Sequence, residues 1–226
     1  MNDSDQLLSL FFSRGYENER NENLFLRSFK MDYGDVISYV QSLVQTPLPL
    51  FVNYIEDNCS PSYITYQDVV QYSSFSDATS GICKVLMDVD NNGLSNIEVG
   101  RALLNDGKER NNGALRKYGE NHAKTAIELG LVHSLYGYNY LTCLGLVYSQ
   151  LNILEQKEML RRTVLRNRFI QKVITKSRCS QVVLFEELSF LSASTVKRRM
   201  PNIRYLFSLL IGNEPEMEYL LKKICL

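Results

Sequence analysis

ALRKYGENHAKTAIELGLVHSLYGYNYLT, residues 114–142, decides how this chain is to be read. Its first half places Ala123, Ala126 and Ile127 at i, i+3 and i+4, one face of a helix. Gly130 stands where a helix C-cap needs positive φ. Arg116, Lys117, Asn121 and Lys124 are left to the outer face. From Leu131 the pattern alternates and turns about Gly137, which predicts a short hairpin over 131–141. Thr142 then offers its hydroxyl as N-cap to a further helix with Leu144, Val147 and Leu151 inside.

Upstream lies MDVDNNGLSNIEVGRALLNDG, residues 87–107. Asp88, Asp90, Asn92 and Gly93 have the spacing of a calcium loop, but the position that must supply a bidentate carboxylate is Val99. Turn formation explains these residues better, since Asn and Asp bond their own backbone and Gly takes positive φ. Ser95-Asn96-Ile97-Glu98 then forms a capping box, predicting a helix from about 96. A preceding helix over about 77–87 aligns Ala78, Ile82, Val85 and Leu86. Three helices, a hairpin and a closing helix over 73–152 make a winged helix, a helix-turn-helix with a β-hairpin wing.

Residues 153–226 read as a second domain of the same kind. Leu160, Val164, Leu165, Phe169 and Val173 give one long helix an apolar face, with Arg161, Arg162, Arg166, Arg168 and Lys172 around the rest. A second helix is expected over Val182–Phe190. A third begins at the N-cap Ser192, with Val196, Met200, Ile203 and Phe207 inward and Lys197, Arg198 and Arg204 outward. Pro201 should kink or interrupt it, because proline lacks an N–H and clashes with the carbonyl four residues back. Residues 1–72 form a small N-terminal module whose role the residues do not announce. In it, Leu7, Leu8, Leu10, Phe11 and Phe12 make an apolar start, Arg14–Asn23 a polar gap, and Val36, Val40, Leu43 and Val44 a helical stripe ended by Pro47 and Pro49. The fold class is therefore mainly α: tandem winged helices plus an N-terminal module.

Net charge is zero across 226 residues, yet unevenly spread. Residues 1–100 carry 14 acidic and 5 basic residues, a balance of −9; residues 101–204 carry 18 basic and 8 acidic, a balance of +10. The basic half points to a polyanion partner; the alternative is that the two halves complement each other internally. No apolar run approaches a transmembrane span, so no membrane role is expected. MNDSDQLLSLFFSRG lacks the features of a secretory signal. Five scattered cysteines and two histidines make a zinc site unexpected and fit a reducing cytoplasm.

Leu191-Ser192-x-Ser194-Thr195-Val196-x-Arg198-Arg199, followed by Ile203-Arg204, resembles a winged-helix type found in restriction–modification proteins. Tyr118–Ala126 with Leu129–Val132 and Leu141–Gly145 looks like its partner module. Over about residues 75–210 the chain is similar to the tandem target-recognition parts of type II and nicking endonucleases. The resemblance implies sequence-specific binding of double-stranded DNA, beside a separate nuclease subunit or domain. The candidate DNA contacts are Arg116, Lys117, Asn121 and Lys124 in the first module and Ser194, Thr195, Lys197, Arg198 and Arg204 in the second.

Other chemistry finds little support. No phosphate-binding Gly-x-x-x-x-Gly-Lys-Ser/Thr loop is present. Asp90 with Asp106-Gly107-Lys108, and Glu155-Gln156-Lys157, match a nuclease triplet that needs adjacent strands to hold a metal; both fall at helix ends or in helices. No cofactor and no catalytic residue is expected. His122 reads as a packed or phosphate-facing group. Tyr136, Tyr138 and Tyr140 of the hairpin suit either a sugar–phosphate backbone or packing on the second module. The alternatives are a transcription regulator, for which a homodimer on a palindromic site would speak, a metal-dependent nuclease with an unusual site, and an assembly protein whose modules bind protein.

Overall fold

The structure, a computed structural model, describes residues 3–12, 33–59, 61, 63–90, 92–212 and 214–225. It is mainly helical with two small sheets. Of the described residues, those within Met1–Leu8, Leu43–Val70 and Lys157–Leu226 form one compact unit, the C-terminal unit. Those within Ser9–Ser42 and Gln71–Gln156 form the other, the hairpin unit. The expected boundary at 152–153 thus falls at 156–157, and the first 72 residues divide between the units instead of standing as a module. The polar stretch Arg14–Asn23 lies outside the described residues.

The N-terminal helices are α1 (Asp3–Phe12), α2 (Tyr33–Gln45) and α3 (Leu48–Asn58). Pro47 and Pro49 separate α2 from α3 and start the latter, proline being tolerated where the first amides have no helical acceptor. The buried face of α3, Leu48, Phe51, Val52 and Ile55, packs on a helix of the C-terminal unit and ties this segment to it.

From Gln71 onward the hairpin unit has a π-helical turn (Asp77–Gly81) leading into α4 (Ile82–Met87). There follow β1 (Leu94–Ser95), α5 (Asn96–Leu103), α6 (Asn112–Glu128), β2 (Val132–Leu135), β3 (Tyr138–Leu141) and α7 (Cys143–Gln150). The sheet is antiparallel in the order β1-β3-β2, with Leu94 opposite Asn139 and Val132 opposite Leu141. Local chemistry sets most of these boundaries. Glu98 accepts from the Ser95 N–H at 2.8 Å while Ser95 Oγ accepts from the Glu98 amide, so the Glu98 carboxylate serves the helix start. Asn111 caps α6, accepting from Ala114 N at 2.8 Å, and starts it two residues before the expected position. Thr142 caps α7, accepting from Gly145 N at 2.9 Å. After α6, Gly130 takes φ 78° and Leu131 N donates back to Ala126 O at 2.9 Å, closing the helix.

The crossing of α5 and α6 depends on two glycines. A Cβ on Gly119 would stand 2.0 Å from Asn96 O, and one on Gly100 2.0 Å from Leu115 O. Backbone meets backbone here, so only glycine fits at either position. Asn139 ties β3 to the start of α5, donating to Leu94 O at 3.0 Å and Asn96 Oδ1 at 2.9 Å.

The unit boundary falls within α8 (Ile153–Thr163), after which the C-terminal unit has a 3-10 turn (Val164–Arg166), α9 (Arg168–Ser177), β4 (Val182–Val183), α10 (Leu184–Glu187), α11 (Ala193–Leu209), α12 (Pro215–Lys222) and β5 (Ile224–Cys225). Three expectations change. The long helix over 160–173 breaks at Asn167, whose side-chain oxygen caps α9 and whose amide donates to Asp68 O at 2.9 Å. The helix expected over 182–190 is a short strand and a single helical turn, because Val182 and Val183 pair in parallel with Ile224 and Cys225. Strands so connected form no hairpin, so β4 and β5 supply no wing of the expected kind. Third, α11 runs unbroken through Pro201, which sits on its exposed side. Val196, Ile203, Leu206 and Phe207 are buried beneath α11, as are Phe169, Val173 and Ile174 on α9.

Candidate nucleic-acid interface

The inner face of α6 holds Leu115, Gly119, His122, Ala123 and Ala126, all buried. Ile127, expected inside, is instead 38% exposed and borders the outer face. That outer face carries Arg116, Lys117 and Lys124, all exposed, with half-buried Asn121 at its edge. Glu120 lies among them, 3.0 Å from Lys124 Nζ and 3.5 Å from Lys117 Nζ. The bond from Lys124 holds the Glu120 carboxyl below the usual range. The surface is thus cationic, with one carboxylate orienting two lysines.

His122 belongs to the interior. It is fully buried: Nδ1 donates to Tyr118 O at 2.7 Å and Nε2 accepts from Ser74 N at 3.3 Å. Burial lowers its pKa, opposed by the Tyr118 carbonyl and the Asp77 charge. The neutral imidazole therefore links α6 to the segment before α4, and it is not a phosphate ligand.

On α11 the exposed side presents Ser194, Lys197, Arg198, Pro201, Arg204 and Tyr205, while Thr195 is half-buried. The hydroxyls of Ser194 and Thr195 lie 3.2 and 2.9 Å from Ser192 Oγ, so they take part in the cap. Arg199, next to Arg198, turns inward. It is 9% exposed and donates to the carbonyls of Tyr66 and Val69, the latter at 2.6 Å. Burial lowers its pKa.

Much of the remaining basic cluster is internal. Arg161, Arg162 and Arg166 are buried, not displayed. Arg161 pairs with Glu214 at 2.8 Å and Glu158 at 3.1 Å; Arg162 binds Glu158 and donates to Thr46 O at 2.8 Å. Arg178 meets Asp57 at 3.2 Å and Arg168 lies 3.6 Å from Asp68. Lys172 and Lys176 both pair with Glu187. Of these pairs, Arg168–Asp68 and Arg178–Asp57 join the basic segment to the acidic first hundred residues, while the others lie within residues 153–226.

Sequence reasoning passed over one group. Arg101, Lys108, Glu109 and Arg110 line an open concavity between the end of α5 and the start of α6. Arg101 stands in the last turn of α5, and the other three fall in a polar stretch that reads as a connecting loop, which hides them. Asp106, the nuclease candidate, accepts both prongs of Arg110 at 2.5 and 2.7 Å, which hold its carboxyl far below the usual range. It lies in this loop and not on a strand. Glu155, of the other triplet, accepts from Asn152 N at the start of α8. Among the described residues no three His, Cys, Asp or Glu side chains gather as metal ligands do, and no helix is long and apolar enough to cross a membrane.

In the hairpin, Tyr140 packs on His133 with ring centroids 5.2 Å apart, while Tyr136 is 88% and Tyr138 47% exposed. No family model, curated protein or solved structure matches the chain.

Proposed function

We propose that the chain binds double-stranded DNA and reads its sequence with α6, and with α11 as a second reading helix, as the target-recognition component of a restriction–modification or related defence system. The observation that carries the reading is the architecture of the hairpin unit. Helix, strand, helix, helix and hairpin, with sheet order β1-β3-β2, support a winged-helix reading of this unit. Its third helix is the one that displays Arg116, Lys117, Asn121 and Lys124.

A helix of this kind enters a major groove about 12 Å wide. Arginine offers two donors to guanine, and asparagine both donor and acceptor to adenine; the lysines are suited to phosphate. In the C-terminal unit, α9, β4, α10 and α11 follow the same order, with Lys197, Arg198 and Arg204 exposed on the last helix. The parallel strand β5 stands where a hairpin wing would be expected.

The test is DNA affinity across a salt series. If the six exposed cations of α6 and α11 engage phosphates, log affinity falls against log salt with a slope of about −5. A flat response overturns the reading. Lys124→Ala should weaken binding equally on all sequences and reduce the slope by about 1. Asn121→Ala should weaken binding by about 1–3 kcal/mol only on sites with adenine at one position.

A second reading, in which the modules bind protein, draws on exposed Val183, Phe185 and Phe190 in the C-terminal unit. Under it DNA affinity stays weak at every salt concentration.

A further inference from the structure

The β2–β3 turn holds an unusual residue. Tyr136 and Gly137 have φ of 51° and 83°, a two-residue turn with both central residues in the left-handed region. Glycine, asparagine and aspartate favour that position, and a bulky aromatic residue strains it. Strain of this sort is normally offset by packing, but Tyr136 is 88% exposed and gains none. A residue that raises the energy of the free fold without contributing to its core points to a partner outside it.

The chemistry of that partner can be read from the hairpin and its neighbours. Residues 131–142, Leu-Val-His-Ser-Leu-Tyr-Gly-Tyr-Asn-Tyr-Leu-Thr, contain no lysine, arginine, aspartate or glutamate. Register places Tyr138 opposite Leu135 and Tyr140 opposite His133, so one face of the hairpin carries a ladder of rings and an aliphatic group. The opposite face, with Val132, Asn139 and Leu141, is buried. The tip therefore offers ring surface but no charge to a phosphate. In the same unit α6 supplies the exposed cations. A ligand that carries backbone charge for α6 and flat rings for the hairpin is a nucleic acid with a base available for stacking.

We infer that Tyr136 stacks on an unstacked nucleobase, one at a mismatch or an opened step, beside the duplex held by α6. This rests on the DNA-binding reading above and adds to it a preference for locally opened DNA. Aromatic–base stacking tolerates any sequence because every base has a π-face.

The experiment compares two probes, a fully paired duplex and the same duplex with one mismatched 2-aminopurine, against the wild-type chain, Tyr136→Asn and Tyr136→Trp. The expected result is tighter wild-type binding to the mismatched duplex, with quenching of the 2-aminopurine fluorescence. Tyr136→Asn should lose about tenfold in affinity for the mismatched probe and little for the paired one. The same variant should melt a few degrees higher, about 2–4 °C, because asparagine relieves the turn. Tyr136→Trp should keep both the preference and the quenching.

Equal loss on both probes would make Tyr136 a backbone contact and overturn the inference; so would no loss on either. Concentration-dependent self-association abolished by Tyr136→Asn would assign the ring to a second copy of the chain, and would overturn it too. In these cases the DNA-binding reading stands on wild-type affinity alone. Failure of the wild type to bind either probe removes that reading, and the inference with it.

Discussion

Arg198 and Arg199 are adjacent and chemically identical, yet their surroundings differ completely. Arg198 lies on the exposed side of α11, while Arg199 is buried against the carbonyls of Tyr66 and Val69. Arg199→Ala would leave those acceptors without their donor, and should destabilise the fold by about 2–4 kcal/mol in urea unfolding. Both bonds come from the one Nη1 nitrogen, so Arg199→Lys, whose ammonium carries three donors, should recover part of this. His122 makes the pH dependence specific. Its folded pKa lies below the ordinary 6.5, chiefly because it is buried. As pH falls below about 6.5 the unfolded chain takes up a proton that the folded unit resists. Stability present at pH 7 should therefore decline as pH falls below about 6.5, and His122→Gln should reduce that decline in thermal melts at several pH values, leaving the share of His133, whose pKa burial also lowers.

At the scale of elements, helix starts were legible because their partners are three residues away. Ser95, Thr142 and Ser192 are N-caps in the structure as they are in the sequence. Ser95→Ala should cost about 1 kcal/mol, measured by chemical denaturation. The hairpin was equally legible, because alternation and a Gly-containing turn are local signals. The break at Asn167 was not: the apolar stripe continues through it, and the side chain that caps α9 there is held by a bond from its Nδ2 to the Asp68 carbonyl, 99 positions away. The strand at Val182–Val183 was hidden likewise, since its partner is the chain's last strand. Pro201 also ran against expectation, for α11 absorbs it on its exposed side. The α5–α6 crossing makes the firmest prediction at this scale. Gly119→Ala places a methyl group against a backbone carbonyl and should cost about 3 kcal/mol or more, visible as a lowered melting temperature.

Across the whole molecule, the charge asymmetry proved to mix two things. One part is exposed on α6 and α11 and carries the DNA-binding proposal. The other is internal: Arg161, Arg162 and Arg166 are buried, and Arg178 and Arg168 lie against acids from the first hundred residues. The two parts separate experimentally. Arg161→Ala should lower stability by about 1–3 kcal/mol, because Glu214 and the Leu209 carbonyl lose their donor while Glu158 keeps Arg162, yet leave the DNA affinity and salt slope of the folded protein unchanged. Lys124→Ala should do the reverse. A fluorescence titration on protein shown to be folded by circular dichroism checks both.

By itself the sequence determined the helical class, the caps at Ser95, Thr142 and Ser192, the hairpin and the outward cations of α6, because each depends on groups within a few residues along the chain. The tertiary structure alone decided which arginines are structural and where the N-terminal segments belong. A guanidinium can leave water only when acceptors are brought to it. For Arg199 those acceptors lie 130 and 133 positions away, beyond the reach of any local pattern.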